Sequence, residues 1–264
     1  MKKLVTAACA LAAAMALADG VESANTVGYT TVNLTAGKWY MIGIQFQDIG
    51  GGAIKLDDLI KLSGVTASTW EDQETKAIEI QYWNGGNYDH LYYISDAYAY
   101  GTETELGKDC WALDGVESSD FAKTPGEGFW LHATTAAIGQ NATLTVKGEV
   151  KDAESATVSF TANRWKIISN PFPVAIDLND VVTSGVTAST WDNQETDAAE
   201  IQYWNGSNYD HFYYISDAYA AGTETELGTN CWALDGVQTE GDSISVGGSF
   251  WLLSKQSGSL TFAL

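Results

Sequence analysis

The residues best suited to contact a ligand lie in a hairpin sequence that occurs twice. The two copies read IEIQYWNGGNYDHLYYI at 78–94 and AEIQYWNGSNYDHFYYI at 199–215. Asn and Gly at the centre suit the positive φ angles of a tight turn. Because side chains alternate along a strand, a turn at Gly85-Gly86 places aromatic and polar residues together on one face. These residues are Glu79, Gln81, Trp83, Tyr88, His90 and Tyr92, with the counterparts Glu200, Gln202, Trp204, Tyr209, His211 and Tyr213.

The position of this turn also predicts which residues pair across the hairpin. Trp83 is expected opposite Tyr88, Gln81 opposite His90, and Glu79 opposite Tyr92. The other face is then plainly apolar, with the pairs Tyr82 and Asp89, Ile80 and Leu91, and Ile78 and Tyr93. A turn at Asn84-Gly85 would shift every pair, so the assignment of the faces depends on the turn.

A face of this composition is typical of a sugar-binding surface. Flat rings cover the apolar sides of pyranoses, while amide, imidazole and carboxylate groups exchange hydrogen bonds with hydroxyls. We therefore interpret the twelve residues as contacts for a glycan or another surface polymer. The alternative is that the rings pack inside the protein, under a loop or against another sheet, because Trp is highly buried on average.

The hairpin belongs to a longer internal repeat. The segment 63–116 returns without a gap as 184–237, and 45 of these 54 positions are identical. All ten Trp residues fall into matched pairs, which are Trp39/Trp165, Trp70/Trp191, Trp83/Trp204, Trp111/Trp232 and Trp130/Trp251. The repeat predicts two similar units, copy one at 19–150 and copy two at 151–264. It also implies that a ligand of one copy is presented twice, which favours avidity over catalysis.

The positions between the turns predict an all-β fold. Short apolar runs such as KWYMIGIQF, CWALDGV and FWL alternate with segments rich in Gly, Asn and Asp, and the chain has three Pro. This pattern predicts a tandem duplicated β-sandwich or small β-barrel. One short helix is expected in each copy, at LDDLIKL and at LNDVV, where acidic residues near the start suit the helix dipole.

The N-terminus predicts export, and the charge narrows the classes of partner. Lys2 and Lys3, an apolar run from 4 to 17 and an Ala-Leu-Ala site before Asp19 form a signal-peptide pattern over residues 1–18. Removing the two lysines changes the net charge from −21 to −23. Such a charge argues against nucleic acid and anionic membranes as partners, and no second apolar stretch predicts membrane insertion. The expected location is extracellular or at the cell surface, with the periplasm also open.

Other chemistry has weaker support. Cys110 and Cys231 occupy equivalent positions, and a disulfide requires that they meet at the axis between the copies, so two free buried thiols are favoured. The acidic loops WEDQETK (70–76) and WDNQETD (191–197) offer oxygen ligands for calcium but lack the spacing of a calcium loop. Hydrolytic motifs are absent, and the abundant carboxylates single out no catalytic pair. We therefore expect no enzyme, no metal site and no cofactor.

Three segments of copy two resemble a known type of repeat. The succession RWKIISNPF, IQYWNGSNYD and GGSFWLL is similar to β-rich repeats of secreted and surface bacterial proteins. Those repeats read roughly Gly-Trp-Asn-Leu-Ile-Ser-x-Pro, then a Trp/Tyr-Asn-Gly hairpin, then a Gly-rich turn before an aromatic strand. The Gly before the first Trp is replaced by Lys38 and Arg164, and copy one has Gln45 where copy two keeps Pro171. The resemblance implies an accessory extracellular module and supplies no catalytic residues.

The sequence therefore favours an exported, non-catalytic tandem-repeat protein that binds a glycan or another surface polymer. The alternative is a structural surface component that self-associates through sheet edges or aromatic patches. The exposure of Trp83 and Trp204 distinguishes the two.

Overall fold

A computed structural model describes residues 26–117, 121–238 and 243–264, so the predicted signal peptide lies outside the described residues. Copy one has these strands in chain order: β1 Val27–Asn33, β2 Lys38–Gly43, β3 Phe46–Gln47, β4 Ile54–Lys55, β5 Ile60–Val65, β6 Glu79–Trp83, β7 Tyr88–Ile94, β8 Cys110–Leu113, β9 Val116–Glu117, β10 Ala122–Lys123, β11 Gly128–Ala133 and β12 Ile138–Val150. Two helical turns, α1 Leu56–Leu59 and α2 Gln73–Lys76, interrupt them.

Copy two repeats this arrangement. Its strands are β13 Ser155–Phe160, β14 Lys166–Ser169, β15 Ile176–Asp177, β16 Val182–Ser184, β17 Glu200–Trp204, β18 Tyr209–Ile215, β19 Tyr219–Ala220, β20 Cys231–Leu234, β21 Val237–Gln238, β22 Ser243–Ile244, β23 Ser249–Leu253 and β24 Gly258–Ala263. Its helical segments are the 3₁₀ turns Leu178–Asp180 and Trp191–Asn193 and the α-helical turn α3 Gln194–Asp197.

Each copy is built around two facing sheets, which confirms the all-β prediction. In copy one the larger sheet has the order β2-β11-β6-β7-β8-β9, and the smaller sheet pairs β1, β3 and β5 with β12. In copy two the orders are β14-β23-β17-β18-β20-β21-β19 and β13-β24-β16. The short strands β4 and β10, and likewise β15 and β22, form two-stranded sheets. The described strands thus form open sheets, which agrees with a sandwich rather than a barrel.

A separate hydrophobic core fills each sandwich. Apolar side chains at alternate positions of the larger sheet, such as Ile42, Ile80 and Phe129, meet Leu144 and Val146 of the smaller sheet. Copy two has the corresponding core around Ile168, Ile201, Phe250 and Leu260. The opposite face of each larger sheet is therefore free to contact something else.

The acidic segments expected to be loops each contain a helical turn. α2 and α3 add a second short helical element to each copy, beyond the one expected at LDDLIKL and LNDVV. In the first of those predicted helices, Asp57 Oδ1 accepts a hydrogen bond of 2.9 Å from the backbone N of Trp111. This side chain therefore joins the helical turn to strand β8.

The cysteines confirm the expectation of free thiols. Cys110 and Cys231 are both free and buried. Each lies in a small apolar cluster of its own copy, with Ala77, Ile94 and Ala97 in the first. Burial raises the pKa of Cys110 to about 11, so its reactive thiolate is scarce near neutral pH.

The two sandwiches meet at the free faces of their larger sheets. Gly43 N donates to Gly247 O at 2.8 Å, and the equivalent Ser169 N donates to Gly126 O at 2.9 Å. The backbone approach is close, because a Cβ added to Gly43 would lie 2.6 Å from the Ser169 Cβ. The pairing of these two hydrogen bonds relates the copies by an approximate two-fold axis.

Among the described residues, no helix combines the length and apolar character that crossing a bilayer requires.

Candidate functional site

The repeated hairpin has the predicted register. Trp83 pairs with Tyr88, Gln81 with His90 and Glu79 with Tyr92, and copy two shows the equivalent pairs. Asn84 Oδ1 accepts hydrogen bonds from the backbone N of Gly86 at 3.1 Å and of Asn87 at 3.0 Å. Gly85 has a φ of +98°, which a side chain would disfavour. The turn at Gly85-Gly86 is thus confirmed, and with it the mixed face of six residues.

A carboxylate organises the polar part of this face. Glu79 Oε1 lies 2.6 Å from His90 Nδ1 and accepts a hydrogen bond of 3.1 Å from Gln81 Nε2. In copy two, Glu200 Oε1 is 2.6 Å from His211 Nδ1 and 3.0 Å from Gln202 Nε2. The polar groups of each copy are therefore held in one fixed arrangement.

Two strands that the hairpin sequence does not contain extend the face. β11 pairs with β6 and places Trp130 opposite Gln81 and His132 opposite Glu79. β2 then pairs with β11 and places Trp39 opposite His132. The Trp39 and His132 rings are stacked, with centroids 4.3 Å apart and an interplanar angle of 6°. We call this extended surface the aromatic face of copy one.

The aromatic faces of the two copies pack against each other. Trp83 meets Trp251 edge to face with centroids 5.8 Å apart, and the equivalent Trp204 meets Trp130 at 5.9 Å. Tyr88 also approaches Trp251, at 6.3 Å. Trp130, Ile167 and Trp251 are buried in this cluster, whereas Trp83, Trp204, Tyr88 and Tyr209 are half-buried. The two expected binding faces thus form one surface between the copies.

Two shallow cavities, open to solvent, lie between the rings. The copy-one cavity, about 300 Å³, is lined by Trp39, Gln81, Tyr88, Trp130, Trp204 and Tyr209. The copy-two cavity, about 200 Å³, is lined by Trp83, Tyr88, Trp165, Gln202 and Trp251. Because Tyr88 lines both, the cavities adjoin, and we call them together the aromatic groove. Each half takes side chains from both copies.

Two wider clefts lie beside the groove. One, of about 350 Å³, shares Trp83 and Trp165 with the copy-two cavity and is also lined by Arg164 and Lys166. Its counterpart, of about 380 Å³, shares Trp39 and Trp204 with the copy-one cavity. The rings of the groove therefore have accessible space on more than one side.

The tyrosines at the groove keep their hydroxyl protons over a wide pH range. Burial raises the pKa of Tyr88 and of Tyr209 above the ordinary value. Farther along the same face, outside the groove, burial and then the charge of Glu79 raise the pKa of Tyr92 to about 12. Neutral phenols can both donate and accept hydrogen bonds, as recognition of a polar uncharged ligand requires.

The structure separates the twelve predicted residues into two groups. Gln81, Trp83, Tyr88, Gln202, Trp204 and Tyr209 line the groove. Glu79, His90, Glu200 and His211 lie on the same face and form the polar networks, with Glu79 buried and His90 exposed. Tyr92 and Tyr213 pack instead beside the cysteine clusters. They lie at the far end of the face from Trp83 and Trp204, since side chains advance along the strand.

Four groove residues were missed by the sequence prediction, namely Trp39, Trp130, Trp165 and Trp251. The matching of Trp residues between the copies could have indicated them. Their strands join the hairpin only through long-range pairing, however, and no local pattern predicts that the copies face each other.

The described ranges contain no group of three or more His, Cys, Asp or Glu residues placed to hold a metal ion. Within the first acidic segment, Asp72 Oδ2 pairs with Lys76 Nζ at 2.7 Å.

Comparisons of the chain with protein-family models, curated proteins and solved structures found no match.

Proposed function

We propose that this chain is an exported, non-catalytic protein that binds a neutral glycan in the aromatic groove. The observation that carries the proposal is the meeting of two aromatic faces, which leaves cavities walled by Trp and Tyr rings and edged by Gln81 and Gln202. Apolar walls with a few fixed polar groups are the usual composition of a site for a small or sugar-like ligand. A location between two units is also common for such sites.

The charge of the chain supports a neutral ligand. Acidic residues number 34 against 13 basic ones, which gives a net charge of −21. Such a field repels polyanions at long range, whereas a neutral sugar is unaffected by it. Neutral hexose polymers therefore suit the molecule better than acidic or sulfated ones.

The surroundings of the carboxylates support binding rather than hydrolysis. A glycosidase needs two carboxyl groups whose environments give them different roles, one protonated and one ionised. Glu79 and Glu200 instead make the same hydrogen bonds, each to one His and one Gln of its own copy. Such an arrangement orients polar groups without distinguishing an acid from a base.

Self-association is a second candidate function, supported by the smaller sheet of copy one. β1 is an edge strand that pairs with β12 alone. Val27 and Tyr29 on this strand are 65% and 75% exposed. An exposed edge with large side chains can add a strand from another molecule.

The binding proposal is tested by pull-down on insoluble polysaccharides: cellulose, chitin, xylan and mannan. We expect the chain to bind at least one, and the double variant Trp83→Ala/Trp204→Ala to lose most of this binding. The matched control is Trp70→Ala/Trp191→Ala, because these rings are also duplicated, are 49% and 48% exposed and lie outside the groove. Equal binding by both double variants would contradict the site. Concentration-dependent assembly without any polysaccharide, measured by light scattering, would favour self-association.

A further inference from the structure

The two halves of the aromatic groove differ in how they are closed. On the copy-two side, Trp83 Nε1 donates to Trp165 O at 2.9 Å. Arg164 Nη1 donates to Gly85 O at 3.0 Å beside it. Two hydrogen bonds therefore join the hairpin of copy one to Arg164 and Trp165, which directly precede strand β14 of copy two.

The copy-one side lacks the first of these bonds. Trp204, the counterpart of Trp83, has a buried Nε1 with no hydrogen-bond partner among the residues that the structure describes. The cavity next to it is the larger one, about 300 Å³ against about 200 Å³. An unpaired buried donor is unfavourable, so the contact between the copies is held less firmly on this side than on the other.

The copy-one half also has a ring platform with no equivalent in copy two. Trp39 is 37% exposed and is stacked on His132. His132 Nδ1 in turn lies 3.9 Å from Glu79 Oε2. In copy two, the position of His132 is occupied by Leu253, which pairs with Glu200. Trp39 thus has a flat ring stacked behind it, with a carboxylate 3.9 Å from that ring, whereas the position of this ring in copy two is occupied by Leu253.

From these differences we infer that the copy-one half is the primary sugar subsite, with Trp39 as its stacking platform and His132 as the residue that positions the platform. The inference rests on the proposed function and deepens it. The copy-two half is held closed by the two hydrogen bonds between the copies, and it contributes secondary contacts. A neutral sugar ring stacks on Trp39, in the cavity that Gln81 and the Trp204 ring also line.

The experiment compares matched substitutions in the two halves. Cellohexaose, chitohexaose, xylohexaose and mannohexaose serve as soluble probes in titration calorimetry. We expect Trp39→Ala to weaken binding of the best probe by about tenfold, the scale of one lost aromatic stack. Trp165→Ala should change it by less than about threefold. Equal losses for the two variants, or a larger loss for Trp165→Ala, would overturn the inference.

The positioning residue is tested by exchanging the residues that differ between the halves. His132→Leu introduces the residue that copy two already has, so this variant should fold even if Trp39→Ala does not. We expect weaker probe binding for His132→Leu and no change for Leu253→His, with unfolding temperatures of both close to that of the parent. Unchanged binding by His132→Leu would remove its positioning role.

A second measurement needs no ligand. In ¹⁵N spectra, the indole N–H of Trp83 should show the smaller temperature coefficient because it is hydrogen-bonded, and that of Trp204 the larger one. Matching coefficients would contradict the difference in closure.

Absence of binding to every polysaccharide removes the proposed function and this inference with it. Binding with equal losses in the two halves overturns the inference alone.

Discussion

At the scale of single residues, the most unusual side chain is Lys123 in the core of copy one. It is only 6% exposed, and its Nζ lies 3.1 Å from the centroid of the Tyr82 ring and 3.9 Å from that of Phe121. Burial lowers its pKa from 10.5 to about 8, against the opposing effect of Glu127. The rings offset part of the cost of burying the charge by a cation–π interaction.

Lys123 predicts a contribution to stability that rises with pH in mild alkali. Between about pH 8 and pH 10 the folded protein has released this proton while the unfolded chain still holds it, so the contribution of Lys123 to the free energy of unfolding increases with pH. The buried Cys110 thiol has a raised pKa and acts in the opposite direction, so the rise due to Lys123 is measured as the difference between the parent and a Lys123 variant. Copy two has Ile244 at the same strand position, paired with Ile176 as Lys123 is with Ile54. Lys123→Ile should therefore fold and flatten this rise, as measured by urea unfolding across the pH range.

The control for Lys123 is Lys55→Gln, which changes an exposed lysine on the neighbouring strand β4. It should leave the pH dependence unchanged. A rise of equal size in Lys123→Ile and in the parent would show that another group is responsible.

Which residues share a face could be predicted from sequence, because strand alternation is a local property. The hairpin residues Gln81, Trp83 and Tyr88 illustrate this. Their exposure could not be predicted, since it depends on rings from a different copy, above all Trp251 and Trp130. Composition alone also gives no sign that a lysine such as Lys123 points into the core.

At the scale of elements, the contact of β2 and β11 with β14 and β23 fixes how the copies meet. A Cβ on Gly43 would lie 2.6 Å from the Ser169 Cβ and 2.8 Å from Gly248 O, and one on Gly128 would lie 2.7 Å from Ile167. These distances are well inside van der Waals contact. The close approach of copy two therefore requires glycine at these positions of strands β2 and β11.

Gly43→Ala should destabilise the protein by about 1–3 kcal/mol, the usual range for overpacking a close contact. The clash is with backbone and with a short side chain, neither of which can move far. Thermal or urea unfolding measures the effect. Gly86→Ala is the matched control, because its Cβ would approach nothing closer than 3.9 Å and copy two has Ser207 there. A Gly43→Ala protein as stable as the control would contradict this account of the contact.

The elements were largely predictable where their signals are local. The turn at Gly85-Gly86 and the alternation of side chains predicted the register of β6 and β7, and the acidic residues near its start predicted α1. The helical turn α2 was not predicted, because only four residues of the acidic, polar segment WEDQETK are helical. The pairing of β12 with β1, β3 and β5 joins strands that are far apart in the sequence. Short sequence patterns therefore could not predict it.

At the scale of the whole molecule, the duplication creates one composite groove instead of two separate aromatic faces. We expect a neutral hexasaccharide to bind with a stoichiometry near one per chain, because both halves of the groove use rings from both copies. Titration calorimetry measures this ratio directly. The matched comparison is the Trp83→Ala variant against Trp204→Ala, each of which should lower affinity without changing the ratio. A ratio of two would show that each copy binds on its own, away from the groove.

The overall arrangement could not be derived from the sequence. Equal copies predict equal sites, and the expectation of avidity followed from that. The actual arrangement depends on how two whole surfaces fit, and the residues that decide it, Gly43 and Ser169, lie outside the matched segment 63–116.

The division of glycine and serine between the copies makes them complementary but not interchangeable. Where copy one has Gly43 and Gly128, copy two has Ser169 and Ser249. If two units like copy two faced each other, Ser169 of one would meet Ser169 of the other. The backbones there are so close that at least one of the two residues must be glycine. If two units like copy one faced each other, the contact would be left underfilled. The two copies are therefore unlike partners, and we expect copy one to pair with copy two in preference to a second copy of its own kind.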